Sequence, residues 1–210
     1  MLPVTSCLAA LGVLLYAEFR EYVVLKAAAK LIASSAFIWA ALYWGATAST
    51  YGSLVLLGLV FCWLGDMLLL PEGSGKSFLA GLFAFLCGHI VYAAAFSTLA
   101  LNERAGLVAL LAVIPVGAFV LRWLWPTLPA PMRIAVPLYV FVILSMVALA
   151  WSVTVSGAPL VLALGATGFA MSDLSVARER FIAPGFGNRA WGLPLYFISQ
   201  LLLAYSVAVI

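Results

Sequence analysis

Charged side chains are scarce in this chain. Its 210 residues include only 10 Lys and Arg and 7 Asp and Glu, which is 8% of the total, whereas 67% of the residues are hydrophobic. Because a soluble domain is about 25% charged, this composition excludes a water-soluble globular protein, a disordered chain and a protein that binds nucleic acid through a basic surface. The mean hydropathy of +1.22 predicts a polytopic membrane protein instead.

Histidine and paired cysteines are also lacking. His89 is the single histidine, so a zinc site with three histidine ligands cannot form. Cys7, Cys62 and Cys87 lie in apolar segments and have neither CxxC nor disulfide-type spacing. We therefore expect no metal centre and no cofactor, and we interpret the cysteines as small packing residues.

Long apolar segments dominate what is present. A bilayer core of about 30 Å needs roughly 20 apolar residues per helix. The segments between charged, Gly and Pro residues predict an all-α fold, a single domain (1–210) made of eight transmembrane helices. The predicted spans are 2–17, 24–44, 52–70, 78–101, 106–125, 133–152, 159–177 and 190–210.

Basic residues are distributed unevenly between the predicted loops. An alternating path of eight spans places nine of the ten Lys and Arg residues on one face of the membrane and only Arg104 on the other. By the positive-inside rule the basic face is cytoplasmic. We therefore predict a multi-pass integral membrane protein with cytoplasmic basic loops and both termini outside.

The two halves of the chain show a weak internal similarity. An offset of 107 residues places Asp66 on Asp173 and His89 on Tyr196. Membrane folds are often built from internal repeats, so a four-plus-four pseudo-repeat is one interpretation. The offset also places Lys26 on Arg133, a match that the positive-inside bias alone could produce, and the sequence leaves the repeat open.

Asp66 and Asp173 are the only aspartates, and both lie within predicted helices. An ionisable side chain in a span costs about 2.5 to 3.5 kcal/mol on insertion scales, so it is a candidate functional residue. Each aspartate lies about four residues from the cytoplasmic end of its predicted helix, which is a depth of about 6 Å. The alternative is a structural hydrogen-bonding residue, paired with Lys30 or Arg178.

Other polar side chains within the spans share helix faces. These residues are Lys30, His89, Tyr92, Ser172, Tyr196 and Gln200. In the fourth, seventh and eighth helices, small residues recur on the polar face at helical spacing and let neighbouring helices approach closely. We expect these three faces and Asp66 to border one polar cavity that opens toward the cytoplasmic leaflet. Each residue taken alone is also explained as a contact between helices.

Two buried carboxyls can provide both an acid and a base, because desolvation and mutual repulsion keep one protonated while the other stays ionised. Such a pair suits a reaction through an oxocarbenium-like cation, such as cleavage of an enol ether to an aldehyde and an alcohol. The same carboxyls could instead carry protons in a transporter of a lipid or small amphiphile. A structural or regulatory membrane protein is the third alternative, and the cost of burying carboxylates disfavours it.

The chain resembles the lysoplasmalogenase (YhhN-like) family of eight-span membrane proteins. The segments that carry the resemblance are Gly65-Asp66-Met67-Leu68-Leu69, Gly81 to Phe85 with His89 and Tyr92, Gly165 to Phe169 with Ser172-Asp173 and Phe181, and Tyr196 with Gln200. Two positions depart from the family pattern, because Leu31 follows Lys30 where the family often has proline, and Phe197 follows Tyr196 where it has a second tyrosine.

The resemblance implies hydrolysis of the vinyl ether bond of a lysoplasmalogen, a lysophospholipid taken from the bilayer. It implies that Asp66 and Asp173 are the catalytic pair and that Lys30, His89, Tyr92, Ser172, Tyr196 and Gln200 line the substrate pocket. Membrane lipids are the expected surroundings, and no nucleic acid partner is expected. The sequence leaves the headgroup preference, the assignment of acid and base, and the oligomeric state open.

Overall fold

Apolar composition and helix-capping residues define a bundle of eight helices in the computed structural model, which describes residues 1–71 and 75–210. Within that part of the chain the helices are α1 (Leu2–Phe19), α2 (Val23–Tyr43), α3 (Thr50–Leu68), α4 (Gly75–Phe96), α5 (Glu103–Leu124), α6 (Met132–Val155), α7 (Leu160–Phe181) and α8 (Phe186–Val209). All eight are long and apolar enough to cross a membrane. The predicted all-α bundle of eight membrane-spanning helices is confirmed, whereas the sides of the loops and termini stay predictions.

Local side-chain chemistry explains where several helices begin and end. The Ser49 side chain accepts a hydrogen bond of 3.0 Å from Gly52 N at the start of α3, and Asn102 accepts one of 2.9 Å from Ala105 N at the start of α5. Such N-caps satisfy backbone N–H groups that have no partner within the helix. The structure ends α7 at Phe181, beyond the predicted 177, because the intervening Arg and Glu residues are hydrophilic yet favour helix.

Consecutive helices pack as hairpins, with extensive contacts in α1–α2, α3–α4, α5–α6 and α7–α8. Further contacts of α2 with α8 and of α4 with α6 join the two halves of the chain. If each helix is exchanged for its equivalent four helices away in the other half, α2 becomes α6 and α8 becomes α4, so one of these contacts becomes the other. The contacts of α1 and α3 with α8 have no comparable counterpart among the described helices, so the match between the halves is partial and the pseudo-repeat stays a hypothesis.

Large buried side chains form the centre of the bundle, including Phe37, Tyr92, Phe169 and Phe197. Glycine permits the close helix approach around them. A Cβ atom at Gly58 of α3 would lie 2.6 Å from the Tyr92 ring of α4, so only the absence of a side chain accommodates this contact. In contrast, α5 is the most exposed of the described helices.

Candidate active site

A cavity of about 710 Å³ lies within the bundle and is bordered by residues of α2 to α8. Its walls are mainly apolar, with many aliphatic side chains from α5, α6 and α7. Both Asp66 of α3 and Asp173 of α7 line it. The structure thus brings the two predicted catalytic residues to one cavity, although they are 107 positions apart in the sequence.

Asp66 is almost completely buried and has three polar partners. Its Oδ1 atom lies 3.2 Å from Lys30 Nζ, and its Oδ2 atom accepts hydrogen bonds of 2.6 Å from Ser34 Oγ and 2.8 Å from the Tyr196 hydroxyl. Lys30 and Ser34 are one turn apart on α2, so they present their side chains to α3 from one face. The ammonium group of Lys30 balances a negative charge on Asp66.

Asp173 has a different environment. Its Oδ2 atom accepts a hydrogen bond of 2.6 Å from the Tyr139 hydroxyl of α6 and lies 3.6 Å from His89 Nε2 of α4. Within residues 1–71 and 75–210, no Lys or Arg forms an ion pair with it. The Asp173 side chain is 18% exposed, compared with 3% for Asp66, and both of its polar contacts use Oδ2. Its Oδ1 atom is therefore the oxygen available to the cavity.

The contact between His89 and the backbone specifies which ring nitrogen carries hydrogen. His89 Nδ1 lies 2.6 Å from the Phe85 carbonyl oxygen. Because a carbonyl oxygen only accepts, Nδ1 is the donor. In a neutral imidazole, Nε2 then has a lone pair directed toward Asp173, and this buried atom has no hydrogen-bond partner within the described chain. A lone pair that faces Oδ2 disfavours a negative charge on the Asp173 carboxyl, whichever of its two oxygens carries the proton.

An aromatic cluster connects the surroundings of the two carboxyls. The His89 ring stacks on Phe169 at a centroid distance of 4.3 Å, and Phe169 lies 5.5 Å from the Tyr196 ring. Tyr196 is the residue that bonds to Asp66. The two aspartates therefore share one rigid wall of packed rings.

The predicted pocket residues separate into two groups. Lys30, Ser172 and Tyr196 line the cavity together with the two aspartates, whereas His89, Tyr92 and Gln200 are not part of its lining. His89 contacts Asp173 from outside the cavity lining. The Tyr92 hydroxyl donates a 2.7 Å hydrogen bond to Gln200 Oε1 in the buried core.

The sequence reasoning missed two polar partners of the aspartates, Ser34 and Tyr139. Ser34 shares the α2 face of Lys30, so i, i+4 spacing was the signal that could have found it. Tyr139 lies seven positions into α6 in an otherwise apolar segment, and helical spacing alone does not link it to α7. Arg178, one alternative partner for an aspartate, instead bonds to Asn188.

The depths of the two carboxyls differ from the expected equal values when measured from their own helix ends. Asp173 lies eight positions before the last residue of α7, whereas Asp66 lies two before the last residue of α3. The difference arises because α7 continues past its apolar segment to Phe181, whereas α3 ends at Leu68, two residues before its predicted end. Both residues nevertheless reach the same cavity.

A row of charges lies where α1, α7 and α8 meet. Arg189 of α8 donates to Glu18 at 2.6 Å and to Glu179 at 2.9 Å. Glu179 also accepts hydrogen bonds from the Gly185 backbone N–H at 2.8 Å and the Asn188 side chain at 2.7 Å. Glu179, Asn188 and Arg189 all line the cavity, so these charges form one of its ends.

Groups of three or more His, Cys, Asp or Glu side chains that could hold a metal ion do not occur among residues 1–71 and 75–210. The expectation that the site needs neither metal nor cofactor stays a prediction.

Comparisons with known proteins relate the chain to proteins named lysoplasmalogenase. Over 162 residues it is 30% identical to "Lysoplasmalogenase TMEM86A" of Bos taurus, and over 161 residues it is 33% identical to the Homo sapiens protein of that name. "Lysoplasmalogenase" of Mycobacterium tuberculosis is 30% identical over 137 residues.

These matches cover 72% of this chain and 64% of each mammalian relative, and 63% of this chain and 51% of the mycobacterial one. The chain thus spans just under two thirds of the length of the mammalian proteins. No solved structure matches it. Residues 21–207 match the profile of the YhhN family, and the chain is a member of that family.

Proposed function

We propose that this chain hydrolyses the vinyl ether bond of a lysoplasmalogen and releases a fatty aldehyde and a glycerophospho-alcohol. One observation carries the proposal: two carboxyl groups line a single apolar cavity, and among the described residues only one of them has a Lys or Arg partner. The relatives named lysoplasmalogenase support the choice of bond.

The unequal surroundings of the carboxyls suggest their roles. Asp66, paired with Lys30 and hydrogen-bonded by Ser34 and Tyr196, is suited to remain ionised. Asp173, which has no Lys or Arg partner in the described part of the chain and faces the lone pair of neutral His89, is suited to hold a proton. A pair of titratable groups in contrasting environments is the usual basis for assigning acid and base. In this proposal Asp173 is the acid and Asp66 is the base.

The reaction then proceeds in balanced steps. Asp173 transfers its proton to the vinyl carbon that is not bonded to oxygen, and the adjacent carbon and oxygen become an oxocarbenium ion. Water adds to that carbon while Asp66 accepts a proton, which gives a hemiacetal. The hemiacetal hydroxyl returns a proton to Asp173 as its carbonyl forms, and Asp66 protonates the departing glycerol oxygen. One water is consumed and both carboxyls are regenerated.

The shape of the cavity supports a substrate with one long chain. Lining residues of α5 extend from Ala105 to Leu124, about 28 Å at 1.5 Å per residue, which is close to the hydrocarbon thickness of a bilayer. Val108 and Val116 of α5 and Met171 of α7 line the cavity and are also exposed on the bundle surface. Lipid can therefore enter from the membrane on the side where these helices lie.

Aldehyde release by the purified protein is the direct test. We expect cleavage of a lysoplasmalogen and none of the matching lipid with a saturated ether, which cannot be protonated to an oxocarbenium ion. Asp66→Asn and Asp173→Asn should each lower kcat by at least about a hundredfold, the scale of general acid–base catalysis. Full activity of both variants would eliminate the paired mechanism, and loss of activity on treatment with a chelator would point to a bound metal.

A proton-coupled lipid transporter is the second candidate. It is favoured by the corresponding contacts of α2 with α8 and of α4 with α6, and by prolines inside three cavity-lining helices, Pro115 of α5, Pro137 of α6 and Pro194 of α8. Transporters commonly combine internal repeats with interrupted helices. Lipid flux across liposome membranes without bond cleavage would support this function over hydrolysis.

A further inference from the structure

Among the described residues, the Lys, Arg, Asp and Glu side chains that line the cavity are located toward one end. They are Lys30, Asp66, Asp173, Glu179 and Arg189, and they lie where α3 and α7 end and where α2 and α8 begin. At the opposite end, the start of α5 and the end of α6 provide apolar lining residues, such as Val108 and Val155. The cavity is therefore polarised along its length like a single-chain phospholipid.

From this polarity we infer that Arg189 binds the phosphate of the substrate headgroup. The inference rests on the proposed function and specifies its substrate as a lysophospholipid with a glycerol phosphodiester. Arg189 is the only arginine among the described residues that line the cavity. Its side chain is 34% exposed, so the guanidinium is accessible to a ligand.

The neighbours of Arg189 hold it in place without using all its donors. One nitrogen of the guanidinium bonds to Glu18 and another to Glu179, which leaves further N–H groups for phosphate oxygens. Guanidinium groups bind phosphate through paired, charge-assisted hydrogen bonds. The two flanking carboxylates also place negative charge beside the site, which suits a headgroup that carries a cationic amine next to its phosphate.

The spacing along the helices agrees with this placement. Glu179 follows Asp173 by six positions on α7, and Arg189 precedes Tyr196 by seven on α8. These separations correspond to about 9 to 10.5 Å along a helix axis. Only the glycerol carbons separate the ether oxygen from the phosphate in a lysoplasmalogen. A phosphate at Arg189 therefore places the vinyl ether near the two carboxyls and directs the alkenyl chain of the substrate toward the apolar end of the cavity.

The decisive experiment compares two substrates in an Arg189→Gln variant. One is an alkenyl glycerophosphoethanolamine, and the other is the corresponding alkenylglycerol, which lacks the phosphate. We expect KM for the phospholipid to rise about tenfold or more, because the variant loses the charge-assisted hydrogen bonds to phosphate. KM for the alkenylglycerol and kcat for both substrates should change little. Arg122→Gln, which removes an arginine at the end of α5 outside the cavity lining, is the matched control.

Each other outcome has a definite meaning. An equal change with both substrates would show that Arg189 only supports the fold, and an unchanged KM for the phospholipid would also overturn the inference. If Arg189→Gln does not fold, Arg189→Lys retains a cation but not the paired donors, so it should reduce the preference for the phospholipid over the alkenylglycerol. An unchanged preference in the lysine variant would contradict a phosphate site at Arg189.

The headgroup site can also be tested if the native protein cleaves neither substrate, which would refute the proposed function. Binding of the uncleavable saturated-ether glycerophosphoethanolamine would then be measured with native and Arg189→Gln protein. Weaker binding by the variant would support the phosphate site independently of catalysis. Equal binding would refute it.

Discussion

Tyr196 and Asp66 come from opposite halves of the chain, and the tyrosine hydroxyl donates a hydrogen bond of 2.8 Å to the carboxyl group. The offset of 107 residues converts this pair into His89 and Asp173, which face each other at 3.6 Å. In each case the aspartate contacts a residue from the other half of the chain, which lies on α8 for Asp66 and on α4 for Asp173. The two carboxyls thus occupy related positions in the bundle, but their remaining partners differ.

That difference predicts the effect of removing Lys30. In Lys30→Met, Asp66 keeps its burial but loses its cation, and breaking a buried ion pair costs about 3 to 5 kcal/mol. We expect a lower thermal unfolding temperature in detergent and a kcat reduced by at least about tenfold. The double variant Lys30→Met/Asp66→Asn should recover stability without recovering activity. Unchanged kcat in Lys30→Met would show that Lys30 is not needed to hold Asp66 in its working state.

Tyr139 is expected to position Asp173. Tyr139→Phe removes one hydrogen bond, worth about 1 kcal/mol, and preserves the ring that packs against His89 at 5.3 Å. We predict a kcat lower by about tenfold, a similar KM and nearly unchanged thermal stability. Tyr43→Phe, at an exposed tyrosine of α2, is the control for loss of a hydroxyl. A stability loss with full kcat would instead assign Tyr139 a purely structural role.

A variant of His89 tests whether this residue contacts the substrate or acts only through Asp173. Because it contacts Asp173 but does not line the cavity, His89→Gln should lower kcat and leave KM close to the native value. Steady-state kinetics with one lysoplasmalogen over a range of concentrations would separate the two constants. A raised KM with native kcat would mean that the imidazole touches the substrate.

The preference for alkenyl chain length should depend on the α5 residues that line the cavity. Ala112 lines the cavity, so Ala112→Phe should fill part of the apolar end and raise KM more for long alkenyl chains than for short ones. Ala118→Phe adds the same bulk at an exposed position of α5 that does not line the cavity. We expect native chain-length preference in that variant. Identical chain-length preferences in both variants would show that the alkenyl chain of the substrate binds elsewhere.

Much of the candidate site was predictable from residue chemistry. Asp66 and Asp173 were identifiable because a carboxyl within an apolar segment is costly, and Lys30, Ser172 and Tyr196 do line the same cavity. Tyr139 was not predictable in this way, since a tyrosine in an apolar helix is common and its partner lies 34 positions away. Tyr92 and Gln200 have the expected helical positions, yet they bond to each other outside the cavity lining.

Sequence alone determined the membrane location, the number of spans, the two aspartates and the resemblance to the YhhN family, because hydropathy and residue type are properties of each segment by itself. The tertiary structure alone decided which carboxyl has a cation, which has a tyrosine and a neutral histidine, and which end of the cavity is charged. The reason is physical: the rotation of each helix about its axis and its choice of neighbours depend on packing among several helices at once. No single segment specifies that arrangement.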